Sequence, residues 1–239
     1  MKPVISTTNL TKLYKNQYAL KDLSIKIEKG EIYGIVGKNG AGKSTLLKLI
    51  SGITEPTNGS LELFGENNLP TQRKRMSSIV ENPTLFGELS ARDNLEYFRI
   101  QRGVADKNVI DEVLNQVGLG DVGVKQVKKY SVGMKQRLAL ALSLMTNPEV
   151  LILDEPTSGI DPAGIVEIRH ILQKLNVEKG VTILISSHIL SELANLATRI
   201  SIIDNGKIKE ELTLEELYEK SSEYIELVTS NQPKAITIL

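Results

Sequence analysis

The apolar positions of this chain fall into short runs of strand period separated by longer stretches of helical period. Val4–Leu10 and Leu23–Ile27 read as strands, the second with apolar residues at alternate positions, and Glu28-Lys29-Gly30-Glu31 is turn chemistry after them. Ile32–Val36 is a solid apolar run of strand length, and Leu46–Ile50 continues as a helix that Gly52 and Pro56 break. Gly59–Gly65 and Ser77–Val80 are two further strands. From Leu89 to about Gly118 the period turns helical: Ser90 and Asp93 approximate a capping box, while Leu95 with Phe98, and Val109 with Val113 and Val117, mark apolar faces. Met134–Thr146 predicts a helix apolar on more than one face and therefore buried. Val150–Leu153 has the continuous aliphatic character of a central parallel strand covered on both sides. Asp161-Pro162 predicts an N-cap and first helical residue, followed by Ile165, Ile168, Leu172 and Leu175 at helical spacing. Val181–Ile185 and Arg199–Ile203 are two more strands, with His188 opening a short helix between them. Asp204-Asn205-Gly206-Lys207 is a hairpin signal, Thr213 and Glu216 form a capping box, and Tyr224–Val228 and Pro233–Leu239 predict a last strand and a weakly patterned helix.

Strands alternating with helices predict an α/β fold with a largely parallel sheet, into which a strandless helical block is inserted. Composition adds exclusions. Lys plus Arg number 29 and Asp plus Glu 29, so no net field draws nucleic acid or anionic lipid. Cysteine is absent, which excludes disulfides and thiolate metal sites and is compatible with a reducing cytosol. The N-terminus lacks a long apolar segment, so no signal peptide is expected. The longest uncharged apolar stretches fall short of the ~18 residues of a membrane span, so a soluble chain is expected whose membrane connection, if any, runs through a partner.

The candidate chemistry centres on Gly37-Lys38-Asn39-Gly40-Ala41-Gly42-Lys43-Ser44-Thr45, which fits G-x-x-x-x-G-K-[ST] between a strand and a helix. Glycines let backbone N–H groups turn inward, and the helix start adds partial positive charge, which together make an anion site. Lys43 would reach the β- and γ-phosphates of a nucleotide, and the Ser44 hydroxyl would ligate Mg²⁺. Asp154, at the end of an aliphatic strand, can hold the Mg²⁺ shell, and Glu155 can orient or deprotonate a water for attack on the γ-phosphorus. Tyr14 falls between two strands, where its ring either stacks on a base or is simply a half-buried strand residue.

These residues resemble an ABC-type ATPase, the nucleotide-binding subunit of an ABC transporter, over about residues 4–217. Tyr14 stands where that family has its adenine-stacking aromatic, Gly37–Thr45 is the Walker A loop, and Tyr130–Arg137 stands in place of the signature L-S-G-G-Q. Leu151–Glu155 is similar to Walker B, Ser158–Asp161 to the D-loop, and Ser187-His188 to the switch histidine. The resemblance implies a P-loop NTPase core of ABC-ATPase type with an antiparallel β subdomain and an inserted α-helical subdomain. The cassette would span 1–220 with the insert at about 88–146, and 221–239 would be a tail or the start of an accessory element. It also implies ATP and Mg²⁺ as ligands and a head-to-tail dimer, with itself or a paralogous ATPase. ATP would lie between one subunit's Gly37–Thr45 and the other's Ser131 and Gly133, and His188 would sense the γ-phosphate. Integral membrane permeases would be the further partners, which puts the chain on the cytoplasmic face of the membrane, and nucleic acid is not expected.

The signature departs from the family, with Val132 for its first glycine and Met134 for its glutamine, and the Val132 side chain is expected to restrict the backbone there. Glu81 replaces the Q-loop glutamine, which places a carboxylate near the metal. Glutamate at this place, with a methionine-containing signature, resembles the subgroup that exports lantibiotics or bacitracin for self-protection. Glu81, beside Pro83 and the Leu85-Phe86 pair, is expected to couple hydrolysis to a membrane partner. The competing reading is an ABC ATPase without membrane partner, of the DNA-repair, chromosome or ribosome-associated kind. Those carry coiled-coil insertions or two cassettes, neither of which is seen here.

Overall fold

The computed structural model describes residues 3–81 and 85–221. Its first layer is an antiparallel sheet of β1 (Ile5–Tyr14), β2 (Gln17–Leu23), β3 (Lys26–Ile27) and a strand after the first helix, β5 (Asn58–Leu63), with β1 paired to all three others. The second sheet holds β4 (Ile32–Val36), β6 (Met76–Ile79), β7 (Val150–Asp154), β8 (Thr182–Ser187), β9 (Arg199–Asp204) and β10 (Lys207–Thr213). Its order is β10-β9-β4-β8-β7-β6, parallel throughout except for the edge hairpin β9–β10. The helices are α1 (Lys43–Ser51), α2 (Leu69–Arg73), α3 (Ala91–Gln101), α4 (Val109–Gln116), α5 (Val132–Leu144), α6 (Pro162–Lys179), α7 (Leu190–Ala194) and α8 (Leu214–Ser221).

The parallel sheet divides the buried apolar residues into two cores, and strand pleating sends successive side chains to opposite ones. On β7, Val150 and Ile152 enter the core under the antiparallel sheet and α1, while Leu151 and Leu153 enter the core under α3 to α7. On β4, Tyr33 and Ile35 take the first side, Ile32 and Val36 the second. This is why these strands read as unbroken apolar runs. Residues 91–144 contain helices and 3₁₀ turns and no strand, and their apolar side chains Leu95, Ile110, Val113 and Leu138 join the same core as Leu151 and Ile183. Ser90 caps α3 with the expected reciprocal box, and Thr213 and Glu216 do the same for α8.

Four expectations are corrected. The first hairpin is longer than its pattern: β1 runs to Tyr14 and pairs with β2, through two register irregularities that blur the alternation. Tyr14 therefore ends a strand rather than lying between two. The strand expected at Leu23–Ile27 splits into the end of β2 and the short β3. Helix α5 starts at Val132, not Met134, because the Ser131 hydroxyl accepts from the Met134 amide at 3.2 Å and caps it. His188 precedes α7, whose N-cap is Ile189. Helix α2 was not legible, although Pro70 in its first turn is a start signal. The strand at Tyr224–Val228, the helix at Pro233–Leu239 and Pro83 lie outside the described residues.

Candidate functional site

The loop between β4 and α1 is shaped by glycines with separate reasons to lack a side chain. A Cβ on Gly37 would stand 2.3 Å from the Ile203 carbonyl of β9, and Gly42 combines φ +112 with a Cβ position 2.7 Å from the Ala19 carbonyl. Gly42 is the N-cap of α1, so the amides of Lys43, Ser44 and Thr45 are first-turn donors without intrahelical acceptors. Asn39, Gly40, Gly42, Lys43, Ser44 and Thr45, with Ala19 and Glu155, line one cavity of about 160 Å³. Ala41 is buried behind it, and its carbonyl accepts from the Gly206 amide.

Lys43 is buried, and its ammonium donates to the carbonyls of Gly37 at 2.7 Å and Lys38 at 3.3 Å. Glu155 Oε1 lies 3.2 Å from the same Nζ, and Glu155 Oε2 lies 2.9 Å from His188 Nδ1. A carboxylate accepts only, so the proton of that contact sits on His188 Nδ1. Lys43, Glu155 and His188 thus form one continuous chain of contacts.

Ser186 organises the carboxylates. Its hydroxyl donates to Asp154 Oδ1 at 2.6 Å and accepts from the Glu155 amide at 2.9 Å. Register explains it: Asp154 on β7 pairs with Ser186 on β8. Glu155 holds the left-handed φ of +46, a conformation costing roughly 1–3 kcal/mol that the Ser186 bond helps to hold. The oxygen donors Ser44 and Asp154 suit Mg²⁺, a hard ion that keeps waters and takes phosphate oxygens. Among the described residues no cluster of three or more His, Asp or Glu competes for a metal.

Other expected site residues stand apart. Glu81 is exposed at φ +72, with its carboxylate 2.5 Å from Lys48 Nζ on α1, and it does not line the phosphate-loop cavity. The Glu81 hydrogen bond raises the Lys48 pKa, and Tyr14 and Asp154 act on the same ammonium electrostatically. Tyr14 is 46% exposed at the end of β1, with the Lys12 ammonium 5.0 Å over its ring and Lys48 of α1 within electrostatic reach. Ser131 and Gly133 line neither the phosphate-loop cavity nor the cavity beside His188. Val132 is 56% exposed and sits in the helical first turn of α5, outside the positive-φ residues, so its side chain does not strain the backbone there.

Ser186, Lys48, Thr157 and Glu192 carry site contacts that the sequence did not single out. The paired serines ending an aliphatic strand were the available signal for the first. Lys48 meets Glu81 33 residues away, and Thr157 meets Glu192 35 residues away, contacts for which the sequence has no local signal.

A family model described as ABC transporter matches residues 20–158. The bacitracin transport ATP-binding protein BcrA of Bacillus licheniformis is 44% identical over 242 residues, 100% of this chain and 79% of that protein. The lantibiotic transport ATP-binding protein SrtF of Streptococcus pyogenes is 42% identical over 229 residues, 96% of this chain and 97% of that protein. Among solved structures, the dimeric post-hydrolysis state of the ATP-binding cassette MJ0796 bound to ADP and Pi superposes with TM-score 0.79 at 28% identity, over 88% of this chain and 98% of that one. CbiO1 from Clostridium perfringens, part of the transporter complex cbiONQ, gives TM-score 0.83 at 27% identity over 92% of both chains.

Proposed function

This chain belongs to the ABC transporter family and is an ATP-hydrolysing subunit of it, and we propose that, as a head-to-tail pair on the cytoplasmic membrane face, it powers export of a peptide antibiotic. The observation that carries the ATPase part is the contact chain Lys43–Glu155–His188, whose first two members line the phosphate-loop cavity. Lys43 has three ammonium protons, and two carbonyls and Glu155 take them. A γ-phosphate arriving in the cavity competes with Glu155 for that ammonium, and the freed carboxylate orients or deprotonates the attacking water. His188, held to Glu155 through Nδ1, would offer Nε2 to the phosphoryl group. Mg²⁺, held by Ser44 and Asp154, would neutralise charge on the β- and γ-oxygens. Tyr14 would stack on the adenine, and Ser131 and Gly133 at the start of α5 would meet the γ-phosphate held by the other copy.

Glu81 belongs to communication with the membrane subunits in this reading. The Phe86, Tyr97 and Phe98 rings pack edge and face on one another, and Phe98 lines one groove of about 270 Å³ with Glu81. The peptide cargo follows from the bacitracin and lantibiotic transport relatives. Co-expression with the integral membrane permease of a bacitracin or lantibiotic exporter should raise resistance to that peptide, and Glu155→Gln should remove that resistance. Unchanged sensitivity to both would reject the cargo, and resistance that survives Glu155→Gln would reject the ATP-driven mechanism.

A further inference from the structure

Glu155 and His188 reach each other from separate loops, one after β7 and one after β8, and only Glu155 also lines the phosphate-loop cavity. Their 2.9 Å contact needs those loops held at a fixed spacing. The strands pair only as far as Asp154 and Ser186, so the spacing beyond that register has to come from side chains. A third carboxylate supplies it. Glu192 Oε2 accepts from the Thr157 hydroxyl at 2.7 Å and from the Ser187 hydroxyl at 2.9 Å. Thr157 lies two residues past Glu155, and Ser187 lies immediately before His188. The Ser187 oxygen also accepts from the Ile189 amide at 3.0 Å, which closes the chain around His188. Glu192, Glu155, His188, Thr157 and Ser187 all line one cavity of about 210 Å³.

We propose that Glu192 is a positioning residue for hydrolysis: one carboxylate oxygen bridges the Thr157 and Ser187 hydroxyls and thereby sets the distance between Glu155 and His188. The inference rests on the reading of those two residues as the hydrolytic pair. A charged acceptor makes shorter and stronger hydrogen bonds than a neutral one, so a single oxygen can hold both loops. The simpler account of Glu192 is an acidic residue in the first turn of α7 that favours that helix end. That account moves stability and leaves the catalytic rate alone.

The test is steady-state hydrolysis by the full chain, alongside ATP affinity and thermal unfolding. Glu192→Ala should lower kcat about tenfold or more, the scale of losing a charged hydrogen bond or of a small misplacement. ATP affinity, which depends on the phosphate loop, should stay within about twofold. Glu192→Gln keeps an acceptor oxygen and should recover most of the rate. Thr157→Val combined with Glu192→Ala should cost no more than the worse single change, because both break one bridge. A Glu192→Ala enzyme with wild-type kcat, a Gln variant as slow as Ala, or additive losses in the double variant would each overturn the proposal. Glu155→Gln run in parallel separates the two failures. If it still turns over, the hydrolytic pair is misassigned, and if it is inactive while Glu192→Ala is normal, only the positioning role falls.

Discussion

A buried ammonium with three protons and three acceptors has no spare capacity, so Lys43 and Glu155 constrain each other. Glu155→Gln removes the charge and the basicity while keeping the shape. Turnover should fall by about 10²–10⁴-fold, the usual contribution of a positioned general base, while ATP binding persists. A rate near that of the native enzyme would put the base elsewhere. The Glu81–Lys48 pair is of another kind, because Glu81 is 69% exposed and such pairs contribute only about 0–1 kcal/mol. Glu81→Ala should therefore leave melting and basal hydrolysis nearly unchanged while peptide resistance drops. Loss of hydrolysis in the isolated chain would count against a coupling role. Positions that are local in sequence were readable: the glycine loop follows its strand directly, and Asp154 ends another strand with Glu155 immediately after it. Ser186 and Glu192 were not, because each acts on a residue more than thirty positions away through strand register or a helix start that no local pattern encodes.

Elements were legible in proportion to their burial. The parallel strands announce themselves because both faces are covered, whereas the β1–β2 hairpin, with exposed Tyr14 and Tyr18 at its tip, carries register irregularities that scramble its period. Strand β6 is the exposed edge of the parallel sheet, and a side-chain clamp secures it. Arg75 donates to both oxygens of Glu149 at 2.7 and 3.0 Å, its guanidinium lies 3.6 Å above the Phe64 ring, and its carbonyl accepts from the Glu149 amide. The Arg75 hydrogen bond holds the Glu149 carboxyl below the usual carboxylate range. A lowered folded pKa stabilises above the ordinary glutamate value of about 4.3, and the contribution is lost as pH falls through the folded value. Arg75→Ala should therefore lower Tm at neutral pH, with the gap to the native chain narrowing in acid. A gap constant from pH 7 to pH 3 would mean the arginine acts through Phe64 packing alone.

At the scale of the whole molecule, one sheet separates two cores, and the ends of its parallel strands carry Glu155 to the cavity built on α1 and His188 into contact with Glu155. The capped start of α5 belongs to the other side of this arrangement: Ser131 and Val132 are exposed, and neither reaches the phosphate-loop cavity. A helix start presents amides and partial positive charge, so a γ-phosphate bound in one copy is a fitting acceptor for α5 of another. Two copies would then share two nucleotides, each glueing a phosphate loop to a foreign helix start, and cleavage would remove the charge that holds them. With Glu155→Gln and Mg-ATP, light scattering should show the mass double, whereas ADP should leave single chains. Ser131→Arg, which fills the contact with a long side chain, should abolish the ATP-induced pair without unfolding the helix, since losing the cap costs only about 1 kcal/mol. Val132→Gly should leave the pair intact, because Val132 already holds an ordinary helical backbone whose amide points where a glycine's would. Persistent single chains in the Glu155→Gln protein at saturating ATP would refute the shared-nucleotide arrangement. A pair that survives Ser131→Arg would move the contact away from α5.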